Sequence, residues 1–150
     1  MAQKYLEIVR QKGERRKTLR KVYRNIRNGE LFLMAYGKLY ANKGAATKGT
    51  VKTDTVDGIS LARIETIIGD LKNGMYKWKP ARRTHIPKSD RKISPLGMPC
   101  WSDKLVQEVL KMVMEAYYEP MFRESSHVFR PNRGCHTALS TICKQWRGTK

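Results

Sequence analysis

The chain has 150 residues, the length of one ordinary domain, and carries 31 Lys and Arg against 13 Asp and Glu for a net charge of +18. That surplus exceeds what solubility asks of a small domain and makes nucleic acid the leading partner, because Lys and Arg that neutralise phosphates release condensed counterions. No stretch approaches the roughly 18 consecutive apolar residues of a membrane span, and the start lacks the apolar core of a signal peptide, so a cytoplasmic protein is expected. Three cysteines, Cys100, Cys135 and Cys143, odd in number and without a C-x-x-C pair, speak against a disulfide framework.

From Tyr5 to Ile26 the apolar residues Leu6, Val9, Leu19, Val22, Tyr23 and Ile26 recur at helical spacing, with Gly13 as a weak point where the helix can break. Arg15, Arg16, Lys17, Arg20, Lys21, Arg24 and Arg27 lie among them with no acids placed to neutralise the run. Such a run is mildly self-repelling unless it binds an anion, so RNA contact is favoured over a merely solvated face. A second helix is expected over Glu30 to Ala41, with Leu31, Phe32, Met34, Ala35, Leu39 and Tyr40 as its apolar face. Asn42 to Gly58 reads as a loop, where Lys43, Lys48 and Lys52 either touch phosphates or are simply solvated. Ser60 then caps a helix with apolar Leu61, Ile64, Ile67, Ile68 and Leu71, closed by Asn73 and Gly74. Tyr76 and Trp78 follow, read as packing residues at a junction more than as base-stacking platforms.

Arg82 to Pro99 has the pattern of a hairpin, with extended flanks at Thr84 to Ile86 and Ile93 to Met98 around a polar, basic tip at Ser89 to Lys92. Ser102 and Asp103 open a long helix to Met121, ended by Pro120, whose buried stripe is expected to be Leu105, Val106, Val109, Leu110, Val113 and Met114. Met112, Met114 and Met121 are read as core filler. An Arg-rich turn, Phe129 to Arg133, leads to a last helix from Cys135 to Trp146. His127, Cys135, His136 and Cys143 fit no zinc spacing. The acids Asp54, Asp57, Asp70, Asp90 and Asp103 are placed at turns, caps or exposed positions, with no Asp-Asp pair. The fold class is therefore α+β, helix-rich, with a small antiparallel sheet built on the hairpin.

Five blocks in order, Ile86-Pro87-Lys88, Pro95-Leu96-Gly97-Met98-Pro99, Asp103 to Leu110, Glu119 to Phe122 and Phe129 to Leu139, resemble the first blocks of group II intron-encoded reverse transcriptases. Leu39 to Gly49 and Asp54 to Ser60 resemble the block that precedes them, particularly in the mitochondrial-like bacterial lineage. The resemblance implies a basic N-terminal extension over residues 1–80 and the fingers of the polymerase over 81–150, stopping before the palm, in one compact unit. It implies that Lys88, helped by Arg91 or Lys92, binds the dNTP triphosphate, with Ser94 standing where the family places an Arg. Pro95, Leu96 and Gly97 would lie against the templating base, Arg130 and Arg133 against the template backbone, and Arg15, Arg16, Lys17, Arg20, Lys21, Arg24 and Arg27 on intron RNA. No catalytic or metal-binding residue is expected in this chain; the carboxylates that hold Mg2+ belong to later blocks, so the chain alone is expected to be inactive. The implied partners are group II intron RNA, an RNA template with its DNA primer, and dNTP, without a membrane, and with a homodimer conceivable through faces left open. The other reading is a stand-alone basic RNA-binding module that aids splicing or assembly without polymerase activity.

Overall fold

The long helix α5, Trp101–Tyr118, collects the rest of the fold. In this computed structural model, which describes residues 1–42, 46–58, 60–88 and 93–146, it follows α1 (Ala2–Glu14), α2 (Val22–Asn25), α3 (Gly29–Tyr40), α4 (Leu61–Asn73) and the hairpin β1 (Arg82–Pro87) and β2 (Ile93–Met98). A 3-10 turn at Val56–Gly58 precedes α4, another at Glu119–Met121 extends α5, and α6 (Cys135–Gln145) closes the order. The expected α+β class is observed, with a two-stranded antiparallel sheet as its only described β structure.

Trp101, Leu105, Val106, Val109, Met112 and Val113 of α5 are buried against Val9 of α1, Leu31, Phe32 and Ala35 of α3, and Ile64, Ile67 and Leu71 of α4. The core therefore joins the first helix to α5, while α6 buries no residue. Met112 is inside and Met114 is 56% exposed, with Leu110 only partly covered, so the buried stripe is turned from the expected one. The reason is that α5 is packed from two sides, by α1 and by α3, and the face between those contacts runs through 105, 109, 112 and 113.

The single helix expected from Tyr5 to Ile26 is broken after Glu14, and Arg16 and Lys21 adopt left-handed backbone with φ of 49° and 57°. Gly13 explains where. A Cβ on it would lie 2.1 Å from the carbonyl oxygen of Tyr117, so α1 crosses the end of α5 at a distance only glycine permits. Just beyond, the Tyr117 hydroxyl donates to the Lys17 carbonyl at 3.1 Å and the chain turns away.

The ends of α4 follow local chemistry. Ser60 Oγ accepts from the Arg63 amide at 3.2 Å, and Gly74 closes the helix at φ +70°. Asn28 caps α3 in the same way, accepting from the Glu30 amide at 2.9 Å. At α5 the expected cap fails: Cys100 occupies the cap position without a side-chain bond, and Ser102 and Asp103 are buried within the first turn. No helix among the described residues is long and apolar enough to cross a membrane.

Candidate nucleic-acid interface

The hairpin pairs Arg82 with Met98, Thr84 with Leu96 and Ile86 with Ser94 on one face, and Arg83 with Gly97, His85 with Pro95 and Pro87 with Ile93 on the other. Thr84, Ser94 and Met98 are partly covered, whereas every residue of the second face is exposed. Pro95, Leu96 and Gly97 are accordingly open, Leu96 at 47%. Lys88 follows β1 directly and is exposed. Arg91 and Lys92, like Lys43, lie outside the described residues.

What holds this projecting hairpin is a buried polar network at its root. The Asp54 carboxylate is sealed from solvent; one oxygen accepts from Arg63 at 2.8 Å and from the amide and hydroxyl of Ser102 at 3.2 and 2.9 Å, and the other from the Lys79 ammonium at 2.7 Å. Asp103 accepts the Tyr76 hydroxyl at 2.6 Å and the Lys79 amide at 3.1 Å. Lys79, one residue before Pro80, is thus held by one carboxylate through its side chain and by another through its backbone. Burial pushes the Asp54 carboxyl up, but the hydrogen bonds from Lys79 and Ser102 and the charges of Arg63 and Lys79 outweigh it and hold Asp54 below the usual carboxylate range. Burial and the hydrogen bond to Asp103 push the Tyr76 phenol far above its ordinary value, which keeps it a donor. The expectation that Asp54 and Asp103 sit at exposed or capping positions is therefore corrected: both are buried and both are consumed by the fold. No local signal marks them, because a turn Asp looks the same in sequence whether or not two cations fold over it.

The 46–54 loop grips the same root. A Cβ on Gly49 would come within 2.7 Å of the Cys100 Cα, so the loop backbone is seated directly on the start of α5. Thr50 donates to the Pro80 carbonyl at 2.7 Å, Lys104 to the Thr47 carbonyl at 2.9 Å, and Arg82 Nε to the Lys48 carbonyl at 3.1 Å.

The N-terminal cations are distributed by the break after α1. Arg15, Arg16, Lys17, Arg20, Lys21 and Arg24 are exposed along the irregular segment and the short α2, and none of them has an ion pair among the described residues. Arg27 is different: it stacks over the Tyr23 ring at 5.4 Å and reaches the Lys72 carbonyl at 3.4 Å.

Arg130 requires a correction. Its side chain is 7% exposed and all five of its N–H donors are used: Nε and one Nη on the Glu119 carboxylate at 3.0 and 2.7 Å, that same Nη also on the Glu119 carbonyl, and the other Nη on the carbonyls of Arg123 and Ser126. It also covers the Phe122 ring at 5.3 Å. A guanidinium so committed has no donor left for a phosphate. Arg133 bonds the carbonyl and carboxylate of Glu124, at 2.6 and 2.9 Å, and stays at the surface. The two arginines shape the turn before α6; their glutamate partners lie 11 and 9 residues back, at no helical or hairpin spacing that would have revealed them. Among the described residues no group of three or more His, Cys, Asp or Glu could hold a metal ion.

The exposed hairpin braced on helices is the described feature that projects from the core, and comparison with known proteins places the chain in a family. No family model matches the chain. It is 45% identical over 131 residues to the group II intron-encoded protein LtrA of Lactococcus lactis subsp. cremoris, which covers 87% of this chain and 22% of LtrA. It is 46% identical over 121 residues to an uncharacterized 91 kDa protein in the cob intron of Schizosaccharomyces pombe, covering 81% of this chain and 15% of that protein. It is 28% identical over 137 residues to nuclear intron maturase 2, mitochondrial, of Arabidopsis thaliana, covering 82% of this chain and 18% of that protein. The chain belongs to the group II intron-encoded reverse transcriptase and maturase family, and it spans about a fifth of the length of these relatives.

Proposed function

We propose that the chain is the RNA-gripping and nucleotide-contacting part of a group II intron-encoded RNA-directed DNA polymerase and maturase that acts in the cytoplasm. The observation that carries this reading is the 45% identity to an intron-encoded protein along 87% of the chain. In it, the exposed cations Arg15, Arg16, Lys17, Arg20, Lys21 and Arg24 hold intron RNA, with Arg27 packed behind them. Lys88, with Arg91 and Lys92, meets the dNTP triphosphate, where fixed positive charge stabilises the negative charge that grows on leaving pyrophosphate. The flat, exposed Pro95, Leu96 and Gly97 lie along the template, paired to its DNA primer, and Arg133 sits at the edge of the turn that follows. Mg2+ is held by carboxylates of the later blocks of the parent protein; Asp54 and Asp103 already satisfy internal donors. Exposed Leu139 and Ile142 on α6 and the open strand edges support a homodimer as part of the same reading, which light scattering showing only monomer would remove.

The test is affinity for a group II intron RNA against an unrelated structured RNA across a salt series. Selective binding that persists at moderate salt is expected; no binding to either RNA overturns the reading. The Arabidopsis relative is a maturase by name, which supports the second reading, a splicing helper without polymerisation. Primer extension by the parent protein on an RNA template separates the two.

A further inference from the structure

The turn before α6 and the helix itself frame an open cavity of about 670 Å3 in which every lining residue is polar. Thr137, Thr141 and Gln145 recur at four-residue spacing and so share one face of α6, while His127, Asn132 and Arg133 come from the turn. The two formal charges in the lining cancel, because Arg133 bonds the carbonyl and carboxylate of Glu124 at 2.6 and 2.9 Å. In a chain of net charge +18 this is a neutral, hydrogen-bonding hollow rather than an anion site. Several of its groups are left over by the fold. His127 is held by Nδ1 on the Thr137 hydroxyl at 3.0 Å, which leaves Nε2, a donor or an acceptor by tautomer, for a ligand. The Thr141 hydroxyl donates to the Thr137 carbonyl at 2.9 Å, so its oxygen keeps its acceptor capacity. Among the described residues the side-chain amides of Asn132 and Gln145 have no partner, and each offers a donor beside an acceptor.

We infer that this cavity takes an unpaired nucleobase of a bound RNA and reads its hydrogen-bonding edge. A base is the ligand class because its edge sets donors beside acceptors, which is what a carboxamide matches with two bonds at once. An unpaired base is favoured over a paired one because its Watson–Crick edge is free for such contacts. A planar ligand is favoured over a sugar by the two planar groups that border the cavity. The His127 ring is fixed by Thr137, and the Arg133 guanidinium by its two bonds to Glu124, and bases stack on both kinds of surface. The inference rests on the reading of the chain as RNA-gripping, and adds to its phosphate contacts a place where base identity is felt.

The experiment compares Asn132→Ala/Gln145→Ala with Gln3→Ala/Gln107→Ala, which removes two exposed amides from α1 and α5 instead. Neither pair alters the charge, and Asn132 and Gln145 are themselves exposed, so folding is not at stake. Each variant is titrated over a salt series with a single-stranded oligoribonucleotide of mixed sequence and with an abasic strand of the same length. The cavity variant is expected to bind the base-bearing strand about tenfold more weakly than wild type, the worth of one two-bond amide contact. Its log K against log salt slope is expected to be unchanged, because no phosphate contact is lost. On the abasic strand it is expected to match wild type, and the control is expected to match wild type on both. Wild-type affinity of the cavity variant for the base-bearing strand overturns the pocket and leaves the broader reading standing. An equal loss on the two strands overturns the assignment to a base. Failure of the wild-type chain to bind RNA overturns both.

Discussion

The ammonium of Lys79 meets the solvent-sealed carboxylate of Asp54 at 2.7 Å, while the amide of the same lysine bonds Asp103 at 3.1 Å. The residue that leads into the hairpin is thereby tied to the 46–54 loop and to the first turn of α5 at once. Asp54→Asn leaves Lys79 and Arg63 facing a neutral amide, and removal of one partner from a buried charge pair is expected to destabilise by about 3 kcal/mol. Urea denaturation followed by circular dichroism measures it; a shift below a few tenths of a kcal/mol would show that the network is not structural.

The same carboxylate sets an acid limb. Its pKa in the folded chain lies below its unfolded value of 3.8, so its contribution is fully present above that value and is lost as pH falls through the lower folded pKa. The wild-type chain is expected to lose stability over this range more steeply than Asp54→Asn, whose side chain does not titrate. Parallel curves of midpoint against pH for the two proteins would contradict this.

Gly13→Ala ought to help by helix propensity alone, by about 1 kcal/mol. A methyl group 2.1 Å from the Tyr117 carbonyl forces α1 off α5 instead, so a net loss of about 1 to 3 kcal/mol is expected, as in overpacked cores. A raised melting temperature for Gly13→Ala would show that the helix crossing is looser than described.

Arg130→Ala separates fold from binding. It strips Glu119 of its partner and leaves the Ser126 carbonyl without its donor, while the Arg123 carbonyl keeps only the Ser126 amide, for an expected loss of about 3 kcal/mol. Under conditions where the variant is folded, its RNA affinity is expected to stay within about twofold of wild type, a change of under half a kcal/mol. A large drop in affinity with unchanged stability would return Arg130 to the RNA.

Arg15→Gln/Arg16→Gln/Lys17→Gln is expected to do the reverse. These side chains are exposed, so stability should barely move, while three lost phosphate contacts flatten the salt slope by about 2 on single-stranded RNA. An unaltered slope would place the RNA elsewhere on the chain.

Sequence alone determined what neighbours along the chain decide. Ser60 and Gly74 bound α4 through bonds and dihedral angles within three or four residues, and the β-forming flanks of the Ser89 to Lys92 segment identify the hairpin. The ordered blocks from Ile86 to Leu139 identify the family for the same reason, since they are read as strings. Only the tertiary structure decided which polar residues are internal. Asp54 meets Arg63, Lys79 and Ser102, up to 48 residues away, and Arg130 closes on a glutamate 11 residues back. Gly13 is required by a carbonyl more than a hundred residues later, and Met112 rather than Met114 is buried because α1 and α3 pack on α5 from two sides. Charge and helical period are properties of a residue and its near neighbours; burial is a property of what packs over it, and no local pattern carries that.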